Sequence, residues 1–317
     1  MINKFKEYST HIFLFAATVI TTLYSGMLWI APNPGPWTLS EWSSAIPYAA
    51  SILLFLSCHE FGHYFAAKYH KVNSTLPYYI PFPPIPWMIN FGTFGAVIKT
   101  KSRIESNKAM FDIGIAGPLA GFVAALAILI YGFSNLPGPE YITNIHPDYF
   151  TPGYKTDKGL YLEFGAPLLY SICQKLFTSP GDFIPPMSEM YHYPYLLSGW
   201  FGLFVTSLNM IPVGQLDGGH IFYAMFGEKK HTAFAHIIVI LMFVAGMLGI
   251  LESFFEINTF IGWSGWIVWV LMLVFVIKIK HPPAYTFEKL NTGRIILGYI
   301  SFAILILSFI PVPIIAY

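Results

Sequence analysis

The chain has 317 residues, of which 55% are hydrophobic and only 10% charged. Soluble chains run nearer a quarter charged, so a globular domain of this size would leave too much apolar surface in water. A net charge of +1, with no basic run or stripe, sets nucleic-acid binding aside. Two cysteines, Cys58 and Cys173, build neither a disulfide framework nor a Cys-rich metal site. The composition predicts an all-α polytopic membrane protein embedded in a lipid bilayer.

A spanning helix needs about 20 apolar residues. In chain order, the stretches 11–31, 44–67, 110–133, 195–225, 234–254, 261–279 and 293–316 qualify, so about seven transmembrane helices are expected. Lys4 and Lys6 precede the first stretch, which is longer than a signal-peptide core and lacks a clear cleavage site. It reads as an anchor that stays attached. The stretch 76–98 carries Pro77, Pro81, Pro83, Pro84 and Pro86, which no helix interior tolerates. From Gly92 to Thr100 the pattern alternates loosely like a strand. A small re-entrant β element after the second helix is therefore expected. The stretch 160–177, broken by Gly165 and Pro167, reads as a surface element or interfacial helix. The fourth span is interrupted by Pro212, Gly214, Gly218 and Gly219.

Charge placement orients this map. With the N-terminus inside and seven spans threaded, every Lys and Arg lies inside except Lys155, Lys158 and Lys175. If 160–177 spanned the membrane, every later loop would flip and the asymmetry would vanish.

The second span ends in His59-Glu60-Phe61-Gly62-His63. Histidines four apart on a helix share a face, so both rings can bind one metal. Glu60 can reach a water held there without being a ligand, as a zinc-hydrolase base must. Polar groups on an apolar span are costly and mark function. A catalytic zinc also wants a third ligand and an open position. Asp217 is the sole carboxylate of the fourth span, beside its helix break. The charge-derived map puts Asp217 and His63 at comparable depth, toward the cytoplasmic face.

HEFGH at 59–63, with N-x-x-P-x-x-x-L-D-G-G at 209–219 and Gly117-Pro118-Leu119-Ala120-Gly121, resembles the site-2 protease family of intramembrane zinc metalloproteases. The resemblance covers about 44–225. It implies one catalytic Zn2+ held by His59, His63 and Asp217, with Glu60 as base. It implies Asn209 as a holder of the substrate carbonyl or oxyanion, and a β element near 76–104 that engages an extended substrate. The chain then reads as one membrane-embedded metalloprotease domain over 1–317, with additional C-terminal helices at about 234–316. The loop 135–193 is too short for the PDZ domain some relatives carry. A C-terminal regulatory domain is likewise not expected, since the chain ends soon after its last span.

The function expected is hydrolysis of peptide bonds in single-span membrane protein substrates, as in regulated intramembrane proteolysis. A non-catalytic binder has no need of Glu60. A metal transporter would scatter its ligands along a path. The membrane expected is a bacterial inner membrane, with the N-terminus cytoplasmic; no oligomeric state follows. Among lesser features, Gly117-x-x-x-Gly121 reads as scaffold bracing the second span. Asp112 reads as a helix-dipole partner. His220 reads as a second-shell partner of Asp217 or a plain surface or core histidine. His231, His236 and His281 read as interfacial. Trp263, Trp266 and Trp269 read as packing or interface residues.

Overall fold

An apolar segment in lipid must close its backbone hydrogen bonds internally, and a helix does so at every residue. The computed structural model of the chain is accordingly mostly helical. It describes residues 2–31, 35–83, 85, 88–154, 162–255, 259 and 261–316, without the side chains of 2–7 and 316. Pro84, Pro86, Lys155, Lys158 and the side chains of Lys4 and Lys6 lie outside the described residues. In chain order come helices α1 (Ile2–Ile30), α2 (Leu39–Trp42) and α3 (Ile46–Tyr69), then strands β1 (Tyr78–Pro81) and β2 (Thr93–Val97). Next are α4 (Asn107–Ser134), α5 (Pro139–Ile145), β3 (Leu162–Phe164), α6 (Leu168–Phe177), α7 (Pro194–Asn209) and α8 (Asp217–Phe226). The chain closes with α9 (Glu228–Phe255), α10 (Gly265–Leu271), α11 (Thr292–Ser308) and β4 (Ile314–Ala316).

Among the described residues, four helical segments are long and apolar enough to cross a membrane: Tyr8–Ile30, Leu39–Tyr69, Asn107–Ser134 and Glu228–Phe255. The other three stretches expected to span take other forms. The fourth divides into α7 and α8. The sixth is α10, prolonged by π-helical turns over Met272–Ile277. The seventh ends as α11 at Ser308, and its tail turns into β4 beyond Pro311 and Pro313, which cannot continue a helix. Along α9, Ile237, Ile240, Leu241, Val244 and Leu251 face outward. Water would penalise that apolar surface and lipid would not.

The β element expected after the second helix is an antiparallel hairpin, pairing Tyr78 with Val97 and Ile80 with Gly95. Its first strand lies in the proline-rich half, where the prolines predict irregular backbone. The hairpin is tied to α1. Thr21 Oγ1 donates to the Gly92 carbonyl at 2.6 Å, and Trp29 Nε1 donates to the Asn90 carbonyl at 2.9 Å. Gly92 sits so close that a Cβ there would overlap the backbone of Thr21 and Thr22. The helix within 160–177 is α6, with Tyr170 and Cys173 turned inward. Cys58 is only half-buried. β3 pairs with β4, a contact no local pattern announced.

α3 packs most extensively on α4, and α4 in turn on α7 and α8. One apolar core gathers Tyr48, Phe55, Leu129, Leu197 and Trp200 between α3, α4 and α7. A second joins α9 and α10 to the α7–α8 break through Val213, Ala235, Trp266 and Leu273. Trp266 is a packing residue whose Nε1 donates to the Pro311 carbonyl at 2.7 Å.

The break between α7 and α8 is held from outside. The Gly214 amide donates to the Ile279 carbonyl at 3.1 Å, replacing a helical bond. Gly214 has φ +56, and a Cβ there would overlap the Lys278 carbonyl oxygen. Gly214→Ala should therefore destabilise the protein by more than about 1 kcal/mol. A thermal melt of the detergent-solubilised chain reads this as a lowered midpoint, and an unchanged midpoint would contradict the close fit.

Candidate metal centre

The inward face of α3 runs Tyr48, Ile52, Phe55, His59, His63 and Ala67. The steps of three and four are those of one helix face, so the apolar stripe delivers both imidazoles to the interior. α4 meets this face without side chains in the way. A Cβ on Gly62 would stand 2.5 Å from the Ala116 carbonyl oxygen. A Cβ on Gly117 would overlap His63 Nε2, and one on Gly121 would lie 3.1 Å from His59 Nδ1. His63 Nδ1 lies 2.7 Å from the Ile113 carbonyl oxygen. A carbonyl only accepts, so Nδ1 carries the proton and Nε2 keeps its lone pair.

Asp217 is the first residue of α8, where the helix dipole favours a carboxylate. Its Oδ2 lies 3.5 Å from His59 Nε2 and 3.4 Å from His63 Nε2. The two Nε2 atoms are 3.1 Å apart. Three ligands about 2.0–2.1 Å from a tetrahedral zinc would stand roughly 3.4 Å from one another. Two buried imidazoles and one partly buried carboxylate suit a divalent cation of that kind. Asn209, the last residue of α7, places Nδ2 3.4 Å from His59 Nε2. Glu60 is buried, and the Ile98 backbone just beyond β2 lies on its side of the same cavity. All five residues singled out from the sequence line one cavity of about 950 Å³.

Residues 47–251 match the model of peptidase family M50. The chain belongs to that family. This M50 chain is 32% identical over 194 residues to "Probable zinc metalloprotease EGY1, chloroplastic" of Oryza sativa subsp. japonica, covering 60% of the chain and 30% of that protein. It is 26% identical over 254 residues to "Probable zinc metalloprotease EGY2, chloroplastic" of Oryza sativa subsp. indica, covering 80% and 39% respectively. The Arabidopsis thaliana protein named like the first is 31% identical over 191 residues, 60% of the chain and 31% of that protein. The chain spans about a third of the length of these relatives. Their names place those proteins in chloroplasts, which gives no support to the bacterial inner membrane expected from the sequence. No solved structure matches the M50 chain.

Several lesser expectations are corrected. Asp112 is an ion-pair residue, with Arg294 Nη2 at 2.7 Å and His70 Nε2 at 2.8 Å from its Oδ2. His231 and His281 are buried within the protein. His220 Nδ1 lies 2.7 Å from His281 Nε2, and burial pushes the His281 imidazole below its ordinary value. Gly117 and Gly121 do brace α3, but directly against the imidazoles. Sequence reasoning passed over Gly114, where a Cβ would stand 2.9 Å from that of His220. It also passed over the Ile113 carbonyl. The signal available was Pro118 inside an apolar helix, which marks backbone that is not regular.

Gly117→Ala should push the His63 ring off its position and weaken binding of a divalent cation at least about tenfold, the scale seen when a ligand loses its support. A zinc titration of the metal-stripped membrane protein measures this.

Proposed function

We propose that this M50 chain is an intramembrane zinc endopeptidase that hydrolyses peptide bonds of single-span membrane proteins, as in regulated intramembrane proteolysis. The observation that carries the reading is the convergence of His59 Nε2, His63 Nε2 and Asp217 Oδ2 within 3.5 Å of one another, beside a buried Glu60. These three residues would hold one zinc ion. Bound zinc supplies a Lewis acid that acidifies water and polarises a carbonyl. The names of the relatives support the choice of zinc.

The chain's own groups supply the rest. Glu60 takes a proton from the attacking water and delivers it to the departing amine nitrogen. Asn209 Nδ2 donates to the substrate carbonyl oxygen as charge develops on it. Ile98 lines the same cavity as Glu60, so the edge of the hairpin runs into the site. An extended substrate can add there as a further strand. A helical substrate must first unwind, because its carbonyls are tied up in hydrogen bonds.

The topology belongs to the same reading. α7 with α8, α10 and α11 complete a seven-span bundle with the N-terminus cytoplasmic and the metal centre near that face. The placement of Lys and Arg supports this orientation. About 44–225 forms the catalytic core of one membrane-embedded domain.

Glu60→Gln should retain zinc and lower cleavage of a reconstituted single-span substrate by about 10²–10⁴-fold. Unchanged turnover would end the mechanism. Asn209→Ala should also retain zinc and cost about 10²–10³-fold in kcat. The same assay, read with metal content, separates both variants from one that has lost the ion.

A further inference from the structure

A second cluster of metal-ligating side chains lies at the other end of α7. His146 closes α5, while Glu189 precedes and His192 ends the 3-10 turn Met190–His192 that leads into α7. With α7 16 residues long, the cluster stands about 24 Å from Asn209 and the His59 group.

Two of the three ligands come from one short stretch of chain. Glu189 and His192 are three apart on one tight turn, which puts both side chains on one face. Both are buried. The His192 Nδ1 lies 2.6 Å from the Trp29 carbonyl oxygen on α1, so Nδ1 holds the proton and Nε2 is left as a ligand atom. Tyr141 of α5 donates its hydroxyl to the His192 carbonyl at 2.7 Å, which fixes α5 against the turn. The half-buried His146 then brings its Nε2 to 3.0 Å from His192 Nε2.

Glu189 Oε2 stands 3.6 Å from each of these nitrogens. That is too long for a hydrogen bond to either ring. Ligand atoms about one tetrahedral ion stand at similar separations. The three edges, 3.0, 3.6 and 3.6 Å, follow the 3.1, 3.4 and 3.5 Å of the His59, His63 and Asp217 triangle. Two imidazoles and one carboxylate again make a donor set for a divalent transition metal.

We propose that His146, Glu189 and His192 form a second divalent-metal site, suited to zinc. Its ion fastens α5 and the loop before α7 to each other. Through His192 and Trp29 the same ion is linked to α1. It sits on the face opposite the His59 cluster and takes no part in hydrolysis.

The test counts ions. The full chain is purified in detergent without a histidine tag, stripped with chelator and titrated with Zn2+ alone. Bound zinc is measured by mass spectrometry of the metal. The wild type should bind two equivalents. Asp217→Ala should keep one, and His146→Ala should keep one. Adding Zn2+ to stripped Asp217→Ala should raise its melting temperature, and Asp217→Ala/His146→Ala should lose that rise. His146 is half-buried, so its removal spares the core; should that variant nonetheless fail to fold, Asp217→Ala alone decides the matter. A wild type that binds one equivalent lost with Asp217, an Asp217→Ala that binds none, or a His146→Ala that binds two would each overturn the proposal. Loss of cleavage in Glu60→Gln bears on the other site alone, so the two readings fail separately.

Discussion

The contact between α3 and α4 is the constraint on which the rest of the structure depends. Two helices with ordinary side chains stand 8–10 Å apart. Here Gly62 faces the α4 backbone, and Gly117 and Gly121 face the two imidazoles. Small residues are what let helix backbones approach in a bilayer. The closeness brings the Ile113 carbonyl within reach of His63, so the same contact that packs the helices also sets the tautomer. A methyl group at any of these glycines would separate two functions that now share one surface.

The break between α7 and α8 complements that contact. A continuous helix over 195–225 would satisfy its own backbone and carry Asp217 on an ordinary face. The break puts Asp217 at a helix start, aimed across at α3. Irregular backbone is tolerated at such depth only where protein lines it. The loop after the π-helical turns does so, through the Ile279 carbonyl that accepts from the Gly214 amide. The C-terminal helices thereby take part in shaping the centre without contributing a ligand.

Much of this was legible because it is periodic or local. His59 and His63 belong to the stripe that begins at Tyr48, and Asp217 is the one carboxylate of its segment. The prolines of 76–98 announced an irregular element, and Gly92 to Thr100 announced a strand. What could not be read depends on partners far along the chain. Asp112 looked like a helix-end acid because Arg294, 182 residues later, is invisible to any window. β3 finds β4 at the far end of the sequence. His146 and His192 are 46 residues apart, with no motif spanning them. The division of 195–225 into two helices was signalled by its glycines and proline, but the length of each piece was set by packing.

The hairpin and α1 are joined at several levels. His11 meets the Pro77 carbonyl at 3.0 Å, Thr21 meets Gly92, and Trp29 meets Asn90. They are also in van der Waals register, with no room for a side chain between Gly92 and Thr22. Mechanically, then, the first helix and the two strands are one lever. Tilting α1 in the bilayer would drag the edge strand across the mouth of the cavity. The position of the first helix is thereby tied to the strand that borders the cavity of Glu60.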